Sequence, residues 1–220
     1  MNTTDATQTP GTTEEPDMTR AADDRRTAVI VVDVQDDFVT GSLAVAGGAQ
    51  VARDISAHLA AFDYDAVVAT ADWHTEQTEE HFAPDGEEPN FVTTWPVHCM
   101  AGDHGSDLYD ELELPAGTPL FKKGQLTASY SGFDGVAAID GVDTDLTTYL
   151  RDAGINEVIV VGLAFDHCVK ATALDAAAAG FETLIIEDLS AAVAEATEAQ
   201  ARDELTAAGV TIAPAATLAF

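Results

Sequence analysis

Short apolar runs recur along the chain, and segments of helical periodicity separate them. Continuous β-branched runs such as "TAVIVVDV" are typical of strands that are buried on both faces of a parallel sheet. Six stretches carry this strand pattern: Thr27 to Val34, Tyr64 to Thr70, Thr118 to Lys123, Asn156 to Gly162, Glu182 to Asp188 and Gly209 to Pro214. We therefore predict a mostly parallel sheet of roughly six strands.

Helical patterns lie between several of these runs. Two apolar sets each fall on one helical face: Val51, Ile55, Leu59 and Phe62, and Leu146, Tyr149, Leu150 and Ala153. Two further segments, "CVKATALDAAAAG" and "TEAQARDELTAAG", end in glycine, which commonly terminates helices. Alternating strands and helices predict a three-layer, Rossmann-like α/β fold with helices on both faces of the sheet.

The strand pattern begins at Thr27, and the residues before it carry no apolar run. A chain of 220 residues fits one α/β domain, so we predict a single domain over residues 27–220. Residues 1–26 are rich in Thr, Asp and Glu, which predicts a disordered tail. They also lack the apolar core of a secretory signal.

The acidic balance is the strongest compositional feature of the chain. It has 39 acidic and 9 basic residues, a formal net charge of −30. Nucleic acids and anionic membranes bind basic surfaces, so neither is expected as a partner, and no apolar stretch has the length of a membrane span. Acidic surfaces stay hydrated in concentrated salt, which predicts a cytoplasmic protein of a halophile; an acidic mesophilic protein is the alternative. The two cysteines are expected to be reduced.

A long polar segment, residues 72–115, interrupts the alternation of strands and helices. It carries four of the six histidines, and a loop of this length in a compact domain is usually functional. In open parallel sheets, ligands bind beyond the carboxyl ends of the strands. This rule selects Asp33, Asp72, Lys123 and the turn over residues 162–168, because each closes a predicted strand.

Cys168 follows a predicted buried strand and opens a predicted helix. Unpaired N–H groups at a helix start stabilise a thiolate and can bind an oxyanion, although a small buried thiol is an equally ordinary interpretation. Asp33 and Lys123 close two other strands, and with Cys168 they would supply a nucleophile, a base and a balancing cation. Lys122 is the rival to Lys123 for the cation.

The long polar segment also carries candidate metal ligands. They comprise one carboxylate and three imidazoles: Asp72, His74, His81 and His98. Such a set suits zinc, iron(II) or manganese with open positions for water, and the alternative is polar loop histidines that bind nothing. His104 competes with His81, and Cys99, beside His98, is interpreted as a buried bystander.

Several stretches together resemble the nicotinamidases, which are members of the isochorismatase-like cysteine hydrolases. The resemblance runs from Ala28 to about Ala213, in the family's order, through "VIVVDVQDDFVTGSLAVAGG", "VVATADWH", "HF", "WPVHC", "FKKGQLTASYSGFDG" and "GLAFDHCVKATA". It implies a catalytic triad of Asp33, Lys123 and Cys168. It also implies a metal site, with zinc as the first expectation and iron or manganese as alternatives, formed by Asp72, His74, His81 and His98.

Further features of the site follow from the same resemblance. It implies a cis peptide bond between Leu163 and Ala164 and an oxyanion hole from the backbone N–H groups of Ala164 and Cys168. It also implies a substrate pocket whose aromatic walls are Phe38, Trp95 and Tyr130, with Ala164 beside them. His81 is the less secure metal ligand, because the spacer that precedes it varies in length across the family.

The implied activity is the hydrolysis of nicotinamide to nicotinate and ammonia through a cysteine thioester, in NAD salvage. The partner would be this small molecule, and homo-oligomer formation is left open. The nearest alternative is another hydrolase of the same superfamily, acting on a ureido compound, another small amide or isochorismate. A noncatalytic zinc-binding interaction domain is the alternative from a different class, but it leaves Asp33, Lys123 and Cys168 unexplained.

Overall fold

The computed structural model describes residues 25–91 and 93–217. Eight strands form one sheet: β1 (Thr27–Val32), β2 (Ala66–Asp72), β3 (Leu120–Lys123), β4 (Val136–Ile139), β5 (Val142–Asp145), β6 (Glu157–Leu163), β7 (Glu182–Ala191) and β8 (Thr211–Ala213). Their order across the sheet is β5-β4-β3-β2-β1-β6-β7-β8. The six strands from β3 to β8 in this order pair in parallel, and β4 and β5 add an antiparallel edge.

Helices cover both faces of the sheet. They are α1 (Asp36–Val39), α2 (Gly48–Ala61), α3 (Leu146–Asp152), α4 (Lys170–Ala178) and α5 (Glu195–Ala207). Alternate residues of β1 point to opposite faces: Ile30 packs in the apolar layer that includes α3, α4 and α5, whereas Val31 packs in the layer that includes α1 and α2. The predicted three-layer α/β fold is therefore confirmed.

The strand count was underestimated, because the sheet has eight strands rather than roughly six. The two unpredicted strands, β4 and β5, are four residues each, half exposed, and β5 reads "VDTD". Apolar runs reveal buried strands, and an edge hairpin of this composition has none. The signal it does carry is the turn Asp140–Gly141, where both residues have positive φ, as a two-residue hairpin requires.

The predicted N-terminal tail and the expected lack of a membrane span can be compared only with the residues that the structure describes. The predicted tail over residues 1–26 lies, apart from Arg25 and Arg26, outside the described residues. Among those that are described, no helix has both the length and the apolar character needed to cross a membrane.

The topology brings distant parts of the sequence to one edge of the sheet. Strands β3, β2, β1 and β6 are consecutive neighbours and run in parallel, so their carboxyl ends lie side by side. Asp33, Asp72, Lys123 and the segment after Leu163 stand at these ends. The rule that ligands bind beyond the carboxyl ends of parallel strands therefore points to this edge.

Candidate active site

Asp33 directly follows β1 and turns its side chain into the protein interior. Its backbone adopts a left-handed conformation with φ 48°, and its carboxylate is completely buried. The Thr70 hydroxyl donates to Oδ1 at 2.6 Å, and Oδ2 lies 2.9 Å from Lys123 Nζ. A buried carboxylate is stable only when it is paired, and both of its oxygens have a partner here.

Lys123 joins the acidic groups of the site. It is 1% exposed, and its ammonium contacts Asp33, donates to Asp72 Oδ1 and lies 3.7 Å from Cys168 Sγ. Successive residues of a strand point to opposite faces, so the neighbouring Lys122 lies elsewhere, with Nζ 3.3 Å from the centroid of the Trp73 ring. The geometry therefore places Lys123, and not its rival, beside the carboxylates.

Cys168 lies in a five-residue π-helical turn, Phe165–Val169, between β6 and α4. The sequence predicted the start of an ordinary helix at this point, whereas α4 begins at Lys170. The thiol is 5% exposed, and its sulphur lies within 4.8 Å of carboxylate oxygens of both Asp33 and Asp72. The peptide bond between Leu163 and Ala164 is cis, as the resemblance implied.

Burial governs the electrostatics of these groups. It raises the pKa of the Cys168 thiol well above its ordinary value, although the Lys123 charge opposes this shift. Burial likewise raises the pKa of Asp33, again against the charge of Lys123. The two carboxylates overcome the burial of Lys123 and raise its pKa. Burial therefore favours the neutral thiol at Cys168, whereas the Lys123 charge favours the thiolate, and a nearby base that takes the proton would assist attack.

Three of the predicted metal ligands form a compact group. Candidate nitrogen atoms of His74, His81 and His98 lie within 4.8 Å of one another. Asp72 Oδ2 lies 3.8 Å from His74 Nε2 and 4.0 Å from His98 Nε2, while its Oδ1 accepts from Lys123. Asp72 therefore stands between the histidine group and the triad, and Lys123 holds its pKa below the usual range despite burial.

The histidine group has the properties of a cation site. His74 Nε2 is buried with no hydrogen-bond partner, and His98 Nδ1 contacts the Pro96 carbonyl at 2.7 Å, which directs Nε2 toward the group. Burial, followed by the charges of the neighbouring histidines, lowers the pKa of His81 to about 4. A neutral imidazole is the form that ligates metals, so the residues present fit a divalent cation.

The long polar segment is held in place by a few backbone contacts. His74 N–H donates to the Cys99 carbonyl at 2.9 Å, and Trp95 N–H donates to the His81 carbonyl at 3.1 Å. Isolated β-bridges also pair His74 with Met100 and Phe82 with Trp95. The three histidines therefore converge, although the described part of the segment between β2 and β3 has only two short 3₁₀ turns.

Two neighbouring candidates lie outside the metal group. His104 has a side chain that is 78% exposed and lies near Asp36 and Asp107, at 3.5 and 3.3 Å. Cys99 is completely buried and free, with its sulphur 3.7 Å from the Gly105 carbonyl. Burial raises the pKa of its thiol, which fits the interpretation of Cys99 as a bystander.

A cleft opens beside Cys168 and the histidine group. The four residues expected to bind substrate all line it, together with members of the other two groups: Phe38, Trp95, Tyr130, Ala164, Asp72, His81, His98 and Cys168. Trp95 Nε1 donates to the Tyr130 hydroxyl at 3.0 Å, which fixes two of the aromatic walls relative to each other. The cleft therefore combines flat apolar walls with a nucleophile and imidazoles at its base.

Sequence reasoning missed several residues of the site. His167 lines the cleft and packs edge-on against Trp95, with ring centroids 5.1 Å apart. Gln35 donates to the Asp72 carbonyl and accepts from the Asp72 N–H, both at 2.8 Å. Thr70 and Gln35 stand at strand ends, where the rule that selected Asp33 also applies; Val193, another wall residue, follows β7 without any such signal.

The fold and the site define a class of protein. A buried thiol beside a carboxylate base attacks carbonyl carbons, and this pair lies beyond the carboxyl ends of a parallel sheet. The chain is thus a hydrolase with an α/β fold, and its candidate site contains a buried cysteine.

Comparison with known proteins identifies the family. Residues 27–217 match the model of the isochorismatase domain, and the chain belongs to that family. It is 45% identical over 185 residues to the nicotinamidase/pyrazinamidase of Mycobacterium tuberculosis, which covers 83% of this chain and 96% of the relative.

Solved structures give the same result. PnC1 from L. infantum, in complex with nicotinate, superposes with a TM-score of 0.76 at 34% identity and covers 89% of this chain and 96% of that one. The pyrazinamidase of Pyrococcus horikoshii, in complex with zinc, gives 0.73 at 31% identity and covers 86% and 99%.

Proposed function

We propose that the protein hydrolyses nicotinamide to nicotinate and ammonia through a thioester on Cys168, and that it acts in NAD salvage. The observation that carries the proposal is that Cys168 lines an aromatic cleft, with Asp33 and Lys123 buried directly behind it and three converging histidines beside it. Membership of the isochorismatase family and the similarity to a nicotinamidase/pyrazinamidase support it.

The first half of the reaction transfers the acyl group to the enzyme. Asp33 takes the proton of the Cys168 thiol, and the sulphur attacks the carboxamide carbon. The backbone N–H groups of Ala164 and Cys168 donate to the oxyanion of the tetrahedral intermediate. Asp33 then returns the proton to the leaving nitrogen, so that ammonia departs and a thioester remains.

The second half releases the acid. Asp33, ionised again, takes a proton from water, and the hydroxyl attacks the thioester carbon within the same oxyanion hole. The C–S bond breaks, and Cys168 recovers its proton as nicotinate leaves. Lys123 stabilises the negative charge that passes between Asp33 and the sulphur, because its ammonium lies 2.9 Å from the former and 3.7 Å from the latter.

The histidine group is proposed to hold a divalent cation through His74, His81 and His98, with Asp72 beside them. Zinc is the first choice because imidazole and carboxylate donors suit it and a similar pyrazinamidase binds it, and iron or manganese are the alternatives. When bound, the cation would supply a Lewis acid for the ring nitrogen of the substrate. Phe38, Trp95 and Tyr130 would hold the ring between apolar faces.

The acidic composition supports a cellular setting for this reaction. A net charge of −30 fits the cytoplasm of a halophile, where concentrated salt screens self-repulsion. It also makes nucleic acid an unsuitable partner, so that the small-molecule substrate is the proposed partner.

An ammonia-release assay over a panel of amides tests the proposal. Wild-type protein should release ammonia from nicotinamide faster than from a ureido compound such as N-carbamoylglycine. Cys168→Ala should abolish the release with its fold intact, whereas Cys99→Ala, the matched removal of the other buried thiol, should retain it. Faster hydrolysis of the ureido compound, or substantial activity in Cys168→Ala, would contradict the assignment.

A further inference from the structure

Asp166 is a buried carboxylate that the proposed reaction does not use. It lies two residues before Cys168 in the π-helical turn, and its side chain is fully buried. A carboxylate in this environment is stable only if hydrogen bonds replace its hydration. Its partners therefore show what the residue does.

Three hydrogen bonds to Asp166 come from the loop between β7 and α5 and from the first turn of α5. The backbone N–H of Val193 donates to Oδ1 at 3.0 Å, the N–H of Ala194 donates to Oδ2 at 3.3 Å, and the Thr197 hydroxyl donates to Oδ2. The carboxylate thus ties the nucleophile turn to a segment that follows it by more than twenty residues.

These bonds lie at the start of α5. Its N-cap residue is Ala194, whose side chain has no oxygen to accept from the first turn of the helix. Asp166 accepts from the backbone N–H of this N-cap residue and from the Thr197 hydroxyl in the first turn, and its negative charge lies at the positive end of the helix dipole. The start of α5 is therefore fixed by the turn that carries the nucleophile.

A second contact joins the same two elements. The Arg202 guanidinium of α5 lies 4.9 Å from the centroid of the Phe165 ring, and ion pairs with Glu187 and Glu198 hold it there at 2.8 Å each. Phe165 and Asp166 are adjacent in the π-helical turn. Helix α5 is thus attached to this turn at two points, one near its start and one near its end.

The attached segment forms part of the substrate cleft. Val193 lines the cleft together with Ala164, His167 and Cys168. It is 47% exposed and is therefore not part of the packed core. A residue so exposed is placed by its backbone rather than by surrounding side chains. The Val193 backbone is bonded to Asp166.

We propose that Asp166 is a positioning residue that sets the Val193 wall at a fixed distance from the nucleophile and thereby determines how well the substrate ring is bound. This inference rests on the proposed nicotinamide hydrolysis. Loss of the carboxylate should loosen the wall and weaken ring binding while the thiol, its base and the oxyanion donors stay in place.

Steady-state kinetics of Asp166→Asn and Thr197→Val test this role from both sides of the contact. Each should raise KM for nicotinamide, by roughly tenfold for Asp166→Asn and less for Thr197→Val, with kcat changed by less than about threefold. Thr197→Val removes the hydroxyl, with its contacts to Asp166 and to the Ala194 carbonyl, without altering the nucleophile turn, so it remains informative if Asp166→Asn folds poorly. Alkylation of Cys168 by iodoacetamide should proceed at the wild-type rate in both variants.

Val210→Ala is the matched control, because it opens a small cavity in the core behind α5 and leaves Asp166 untouched. It should lower Tm but leave KM unchanged. If Val210→Ala raised KM as much as Asp166→Asn does, or if Asp166→Asn left KM unchanged, the positioning role would be overturned.

Hydrogen exchange separates this inference from the proposed function. The amides of Val193 and Ala194 should lose protection in Asp166→Asn and keep it in Val210→Ala, whatever the substrate is. Absence of ammonia release by the wild type would refute nicotinamide hydrolysis, while lost protection would still support the contact. Unchanged protection would refute the role of Asp166 itself.

Discussion

Lys122 and Lys123 show how one position along a strand decides the role of a side chain. Both end the same apolar run, yet one lies over the Trp73 ring and the other is buried among Asp33, Asp72 and Cys168. The alternation of side chains along β3 separates them. Composition alone left the two lysines as rivals, and the geometry selects Lys123.

The first prediction uses this pair. Lys123→Met should lower kcat/KM for nicotinamide by roughly 100-fold or more, because the charge passing between Asp33 and the sulphur loses its stabilising ammonium. Lys122→Met removes only a cation–π contact, which costs about 1 kcal/mol of stability, and should retain activity. Ammonia release from nicotinamide is measured for both purified variants. A larger loss of activity in Lys122→Met would mean that Lys122, and not Lys123, is the cation of the triad.

The second prediction concerns pH. Asp33 acts as a base only when ionised, and burial raises its pKa above the ordinary value of 3.8. kcat/KM should therefore fall as pH decreases through this raised pKa. The Thr70 hydroxyl bond favours the ionised form, so Thr70→Val should move the acid limb to higher pH. A limb that stays in place or moves to lower pH would exclude Asp33 as the titrating base.

Individual site residues were predictable to the extent that strand ends reveal them. Asp33, Asp72 and Lys123 were recognised because polar residues close apolar runs at the edge where ligands bind. Asp166 and Val193 were not, because their contact depends on how α5 docks against the turn after β6. Sequence order does not show which element lies opposite another, and the same limit applies to the burial that raises the pKa of the Cys168 thiol.

At the scale of elements, the buried strands were recognised and the exposed ones were not. All six predicted strands exist, because continuous burial on two faces imposes an apolar run. The β4–β5 hairpin forms through backbone pairing at the edge of the sheet. Backbone pairing alone does not require an apolar run, so the sequence did not reveal these strands. Likewise the π-helical turn resembles an ordinary helix start in sequence. Its wider i→i+5 hydrogen-bond pattern requires no particular residue types that a sequence would reveal.

A third prediction tests the close approach of two central strands. Gly162 of β6 has φ +117°, and a Cβ placed there would lie 2.2 Å from the Val32 carbonyl oxygen of β1. Gly162→Ala should therefore lower the free energy of unfolding by about 3 kcal/mol or more. Gly180→Ala is the control, because it has φ +92° but open space around it, and should lose about 1 kcal/mol. Urea denaturation measures both; equal losses would contradict the steric argument.

A fourth prediction concerns the histidines of the long segment between β2 and β3. His98→Ala removes an imidazole from the group and should lose the bound metal and most activity on nicotinamide. His104→Ala, an exposed histidine outside the group, should retain both. Elemental analysis and ammonia release measure these outcomes.

Benzamide separates binding from bond cleavage in the same experiment, because it has the carboxamide but no ring nitrogen. Its slow hydrolysis should hardly change when a chelator removes the metal, while nicotinamide hydrolysis falls. Suppression of both substrates by the same factor would show that the metal acts on the reaction or on the fold.

The fifth prediction belongs to the whole molecule. A net charge of −30 on 220 residues produces strong self-repulsion in the folded state. The Debye length falls from about 10 Å at 0.1 M salt to about 3 Å at 1 M, so Tm should rise between these concentrations. Thermal unfolding across a KCl series measures it, and a flat or falling curve would contradict adaptation to high salt without affecting the proposed reaction.

The central place of β1 has a consequence for how the protein is made. Among the described strands, β1 is synthesised first, yet it pairs on one side with β2 and on the other with β6, which begins only at Glu157. Until the ribosome has delivered β6, an apolar strand keeps one open edge, which is the state most prone to aggregation. The proposed nucleophile follows this late strand, so a nascent chain that ends before Glu157 holds the proposed base and the candidate metal donors but lacks the thiol that would attack.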